Sequence, residues 1–222
     1  FFTFLKYSFC EYYFYKYLTS KKVSLLKDIN QKYIYFPLQT EPEFSLHVAS
    51  QECFDQLNVI ASISKELPSN IFLVVKEAIY SLGSRNKEFY RQISQFKNVI
   101  LVNQNELGLN LIKKSVAVAN ISGSSGLEAA ILGKPVLNFG KNNFYDFIPH
   151  VFNVSTSDKL FDKISYITDG NFDSQESTKN GYFLKESIRK NSFDMGIFTH
   201  INRDNFNNEH LKIMLKNLEK AL

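Results

Sequence analysis

The sequence predicts a doubly wound parallel α/β sheet, and three observations carry that prediction. Apolar runs of strand length recur along the chain. The segments between them have helical length and periodicity. Two of the runs, Ile71 to Val75 and Val116 to Ile121, are almost uninterrupted, as strands covered on both faces are. Strands alternating with helices at this pitch imply parallel pairing through crossover helices.

Phe1 to Leu18 reads as an opening helix, and a polar link leads to a first strand, Tyr33 to Phe36, closed by Pro37. Gln39 to Ser50 is loop. A helix from about Gln51 to Leu67 places Leu57, Ile60, Ile63 and Leu67 on one face before Pro68-Ser69-Asn70 breaks it. The strand Ile71 to Val75 follows, then a helix over Asn86 to Phe96, a strand at Val99 to Val102 and a helix over Glu106 to Lys114. Val116 to Ile121 enters the turn Ser122-Gly123-Ser124-Ser125-Gly126, where a helix starts near Ser125 and stops at Gly133-Lys134-Pro135. Two more strands, Val136 to Phe139 and Val151 to Val154, precede a helix over Asp158 to Ile167 with Ser157 as its cap. The mostly polar Asn171 to Asn180 reads as exposed loop, and Tyr182 to Lys190 as helix. Asn208 to Leu222 carries an apolar stripe and reads as an amphipathic covering helix. The expected organisation is an interdomain helix and linker over 1–30, the sheet domain over 31–200 and the covering helix over 201–222.

A chain of 222 residues suits one domain. It does not begin with methionine, so a piece of a longer protein is expected, with part of the function upstream. The net charge of +4 is spread among interspersed acids and bases, which gives no footprint for nucleic acid. Cys10 and Cys53 have no metal-ligand spacing and no disulfide framework, as a reducing cytoplasm permits. His47, His150, His200 and His210 are scattered, so no metal is expected. No apolar run reaches transmembrane length. The aromatic density of Phe1 to Leu18 suits a missing upstream domain, or else a membrane interface reached peripherally from the cytoplasmic side.

The glycine-serine turn is the richest stretch. A helix N-terminus leaves N–H groups unpaired and carries partial positive charge, so Ser122, Gly123, Ser124, Ser125 and Gly126 suit a phosphate. Turn and N-cap with no ligand is the other reading of the same residues. Neither the P-loop nor the dinucleotide fingerprint is present. Lys76 and Arg85, after the second strand, would neutralise phosphate; the other reading is a solvated strand exit in which Lys76 and Glu77 simply pair with neighbours. Glu128 would accept ribose hydroxyls or complement the helix N-terminus. Glu41 and Glu43 flank Pro42 in the loop after the first strand, as an acid/base pair or as solvated carboxylates.

Taken together, YIYFPLQTEPE from Tyr33, the Asp55-Gln56 helix ending in Leu67-Pro68, LVVKE with Gly83, Arg85 and Phe89-Tyr90, Asn98-Val99, SGSSGLEAAILGKPVLNFG and Tyr145 resemble the capsule polysaccharide biosynthesis family. Its better-known members are Kdo transferases of the two-domain GT-B type, and the resemblance covers Tyr33 to Val154. It implies a Rossmann-like domain forming the C-terminal, donor-binding half of such an enzyme. It further implies a nucleotide-sugar substrate, for which Kdo carried on CMP is one candidate, a glycan or glycolipid acceptor, and no required cofactor. By the same resemblance Ser122 to Gly126 cradle phosphate, Lys76 and Arg85 add charge, Glu128 holds the ribose, and Gln39 and Glu43 face the cleft as catalytic candidates. One departure stands out: the family reads Lys-Glu-His-Pro where this chain has Lys76-Glu77-Ala78-Ile79. Alanine offers no hydrogen bond or charge, which implies lost activity, a different donor or an altered site. The absent first domain would supply the acceptor site, so this chain alone is expected to bind a donor better than it turns one over. A nucleotide-sugar 2-epimerase-like enzyme and a catalytically silent binding module are the alternatives.

Overall fold

The structure, a computed structural model, describes residues 9, 23–41, 46, 50–53, 55–78, 81, 85–141, 143–154, 159–192, 212, 215–216 and 219. The expected helices over Phe1 to Leu18 and Asn208 to Leu222 lie outside or almost outside these residues, as do Ser157 and Asp158.

The chain builds, in order, β1 (Lys32–Pro37), α1 (Gln56–Glu66), β2 (Ile71–Lys76), α2 (Lys87–Ile93), β3 (Val99–Val102), α3 (Gly108–Lys114), β4 (Ala117–Asn120), α4 (Ser124–Ile131), β5 (Val136–Asn138), β6 (Val151–Asn153), α5 (Leu160–Thr168) and α6 (Ser174–Lys190). All six strands pair in parallel in the order β3-β2-β1-β4-β5-β6. This is the doubly wound, Rossmann-like arrangement, with order reversing between β1 and β4.

Side chains alternate across each strand, so β1 feeds both faces. Ile34 and Phe36 join Leu73, Val75, Ile60, Ile63 and Ile164 in one core layer, which α1 and α5 cover. Tyr33 and Tyr35 join Val74, Val118, Leu111, Ile112 and Ala130 in the other, under α3 and α4. Burial on both faces is what makes these strands continuous apolar runs.

The helix expected from Gln51 starts later. Gln51–Cys53 is a 3-10 turn, and Asp55 caps α1 by accepting from Leu57 N–H at 3.1 Å. The larger correction concerns Asn171 to Asn180, which is not loop: α6 begins inside it, with Asp173 accepting from Gln175 and Glu176 N–H at 2.9 Å each. Its buried stripe is Ser177, Gly181 and Leu184, packed on α4. A Cβ at Gly181 would stand 2.5 Å from the Ile131 carbonyl oxygen, so only glycine permits this approach. Ser177 Oγ donates to the carbonyl of Gly133, just past the end of α4, at 2.8 Å. No helix among the described residues is long and apolar enough to cross a membrane.

Candidate functional site

In a doubly wound sheet the loops leaving the carboxyl ends of the strands beside the reversal form a crevice, because the two halves of the chain depart in opposite directions. Here those loops follow β1, β2 and β4, and they enclose a pocket of about 430 Å³. One wall is Gln39 and Thr40, a second Lys76, Glu77 and Ala78, and a third Gly123, Ser124, Ser125 and Glu128 at the start of α4. Gly108 and Leu109 close it from α3, and Tyr35 lies below.

The third wall is an open helix start. Gly123 is the N-cap residue of α4 and supplies no side-chain cap. The Ser124 and Ser125 end therefore presents main-chain donors and two hydroxyls to the pocket, where partial positive charge gathers. Ser124 Oγ lies 3.3 Å from Glu128 Oε1, so the carboxylate reaches back to its own helix start.

Ser122 and Gly123 are differently employed. With the Gln39 amide turned so that its oxygen meets donors and its nitrogen an acceptor, the oxygen accepts from their N–H groups at 2.7 and 2.8 Å and the nitrogen donates to Ser122 Oγ at 2.9 Å. The amide thus spans from the β1 loop to the β4 loop and occupies two of the donors expected to hold phosphate. Gly126 serves packing: a Cβ there would stand 2.3 Å from the Tyr145 hydroxyl and 2.6 Å from Asn120 Nδ2. Buried Asn120 Oδ1 has no partner among the described residues and faces Gly123.

Of the two expected cations, the structure brings one to the pocket. Lys76 is half-buried in its wall, donating to the Glu77 carbonyl at 3.4 Å, and burial holds its pKa below the ordinary lysine value. Arg85 is 5 % exposed and its charge is taken: Nη1 lies 2.7 and 2.9 Å from the two carboxylate oxygens of Glu77. Its Nη2 donates to the Gln39 carbonyl and to Glu41 Oε1, the latter at 3.3 Å. The geometry therefore redirects the expectation that Arg85 offers free charge to a phosphate. Burial pushes the Glu77 carboxyl above its usual range, opposed by Arg85, by the Tyr90 hydroxyl donating at 2.7 Å and by the Ala78 N–H at 2.9 Å.

Ala78 does stand in the pocket wall, where the departure from the family pattern would be felt. Glu43 and Gly83 lie outside the described residues. Three contributors were not singled out from the sequence. Gln56 clamps the Gln39 backbone from both sides, accepting from its N–H at 2.7 Å and donating to its carbonyl at 3.1 Å. Thr40 and Leu109 line the pocket. The readable signal for Gln56 was a polar residue directly after the capping Asp55, on the helix face that turns to the sheet.

No curated protein matches the chain in sequence. Among solved structures, UDP-GlcNAc 2-epimerase from Methanocaldococcus jannaschii is 14% identical over 79% of this chain and 49% of its own, with a TM-score of 0.52. The β Kdo 2,4 transferase of KpsC from Thermosulfurimonas dismutans is 17% identical, over 59% of this chain and 40% of that one, with a TM-score of 0.45. Anabaena Alr3699/HepE, solved with UDP-glucose, is 15% identical over 71% and 44%, with a TM-score of 0.49. These are likenesses of fold, and the chain spans half or less of each of the three proteins. The model of the capsule polysaccharide biosynthesis protein family matches residues 4–148, which is more than half of the sequence. The chain belongs to the capsule polysaccharide biosynthesis family.

Proposed function

We propose that this chain is the nucleotide-sugar-binding half of a GT-B glycosyltransferase that builds capsule or a related surface polysaccharide. The observation that carries the reading is the pocket at the strand-order reversal, where the uncapped start of α4 and the half-buried Lys76 face one space. Helix donors and one ammonium suit a phosphate that takes on charge as the glycosidic bond to it breaks, and they do so without a metal.

The supply of charge favours a donor with a single phosphate. Gln39 engages two loop N–H groups, Glu77 engages Arg85, and Glu128 adds a carboxylate to the wall, leaving Lys76 as the lysine or arginine facing the pocket among the described residues. A CMP-linked sugar, Kdo among them, fits that supply better than a diphosphate-linked one. Tyr35 and Leu109 give apolar surface for base or ribose, and Glu128 is placed to accept ribose hydroxyls. The acceptor, a glycan or glycolipid, would sit on a partner domain preceding this one. The reaction would take its donor from the cytoplasm, at the inner face of the membrane. Gln39 is fully occupied, and an amide neither accepts nor releases a proton near neutral pH, so it cannot serve as the base and Glu43 remains a candidate.

Ala78 favours a second reading, a domain that binds a donor and does not turn it over. Calorimetric titration of CMP, UDP, GDP and CDP into the chain, beside a Gly123→Asp/Ser124→Asp variant, tests the donor site. CMP binding that the added carboxylates abolish is the expected result. Absence of binding by all four at millimolar concentration overturns the reading for this chain.

A further inference from the structure

We propose that Arg85 is a positioning residue for the anion loop, acting at one remove: it fixes the Gln39 main chain, and Gln39 fixes Ser122 and Gly123, so that Ser124 and Ser125 face the pocket. Arg85 does not line the pocket. Its guanidinium instead joins the ends of two strands, holding Glu77 beyond β2 with one nitrogen and the Gln39 carbonyl beyond β1 with the other. Gln56 holds the same Gln39 peptide groups from α1, so the residue has no main-chain freedom left on either side. The Gln39 amide then reaches the β4 loop and takes the Ser122 and Gly123 N–H groups.

The path runs Tyr90, Glu77, Arg85, Gln39, Ser122, and every member named in it is buried or half-buried. An ion pair that served only to hold the fold would need no contact with Gln39. A planar guanidinium with separate nitrogens can serve a carboxylate and a carbonyl at once, whereas an ammonium is a point charge. The consequence for phosphate affinity rests on the donor reading above; the positioning of the loop does not.

The test uses the whole chain with Arg85→Lys, Gln39→Leu and the double variant. Amide hydrogen exchange by NMR comes first. Arg85→Lys is expected to speed exchange at Ser122 and Gly123 at least about tenfold, as loss of a buried hydrogen bond would, while Val118 and Asn120 in β4 stay protected. CMP affinity is expected to fall about tenfold in each single variant and no further in the double, because the two residues act in series. Unchanged exchange at Ser122 and Gly123 in Arg85→Lys, or fully additive losses, overturns the proposal. Should Arg85→Lys fail to fold, Arg85→Gln with Glu77→Gln, a neutral hydrogen-bonding pair, replaces it under the same criteria. If CMP does not bind the unaltered chain, the donor reading fails and the exchange result alone decides the positioning role.

Discussion

Asn120 Nδ2 donates to the Tyr145 hydroxyl at 2.9 Å, and together the two side chains occupy the space that any side chain at position 126 would need. The start of α4 can therefore lie close to β4 only because Gly126 has no Cβ. Gly126→Ala is expected to destabilise the domain by about 1–3 kcal/mol, the usual range for overpacking a well-filled site. Urea denaturation measures it. Tyr145→Phe in the same background removes the nearer clash and should recover part of the loss; no recovery would mean that Tyr145 is not what the new methyl meets.

Lys76 is the ammonium expected to meet the phosphate, so Lys76→Met should weaken CMP binding by about tenfold to a hundredfold, in the range of a charge-assisted hydrogen bond. Its pH dependence has a defined sign. Burial lowers the Lys76 pKa from the ordinary 10.5, so the cation is lost at a lower pH than in a free lysine. Nucleotide affinity should then decline on the alkaline side before 10.5 is reached, and Lys76→Arg should move that decline upward. A flat alkaline profile in calorimetry would place the anion away from this side chain.

Gln39 makes a third prediction separable from the second. Gln39→Glu puts a carboxylate against the Ser122 and Gly123 N–H groups, which it can accept from as well as the amide does, yet it adds negative charge beside the anion site and loses the donor to Ser122 Oγ. Stability should change little, and CMP affinity should fall with a dependence on salt. Loss of stability with unchanged affinity would assign Gln39 to the fold alone.

The sheet was legible because its strands are buried on both faces, and such strands announce themselves as apolar runs. Alternation implies a parallel sheet, but the reversal of order that puts the crevice at the ends of β1 and β4 is read from the structure. What escaped were contacts that spacing does not encode. Glu77 and Arg85 sit eight residues apart across a loop, and nothing in their order says that they close on each other instead of on a ligand. Gln39 lines the pocket as it was read to, but the contact of its amide with the β4 loop was not foreseen. The second half of α6 was read from Tyr182 to Lys190, but its first half hid because it buries a serine and a glycine, which leave no apolar period; Asp173 with Glu176 three residues on, a capping pattern, was the sign available.

His150 gives stability a dependence on pH on the acid side. The ring is 2 % exposed, its Nε2–H donates to the Ala130 carbonyl at 2.8 Å, and its Nδ1 is buried with no partner among the described residues. Burial holds the pKa below the ordinary 6.5, so the folded protein keeps the ring neutral while the unfolded chain protonates it. Between those two values the unfolded state binds more protons, and stability rises with pH. The contribution is complete above 6.5 and is lost as pH falls through the folded value, at about 1.4 kcal/mol for each unit of depression. His150→Gln keeps a donor for Ala130 and does not titrate. Its unfolding free energy by urea should lie below that of the parent at pH 7.5, and the gap should narrow by pH 5, as only the parent has a ring to protonate. A gap that stays constant over that interval would show that His150 is not the group whose burial the acid side reports.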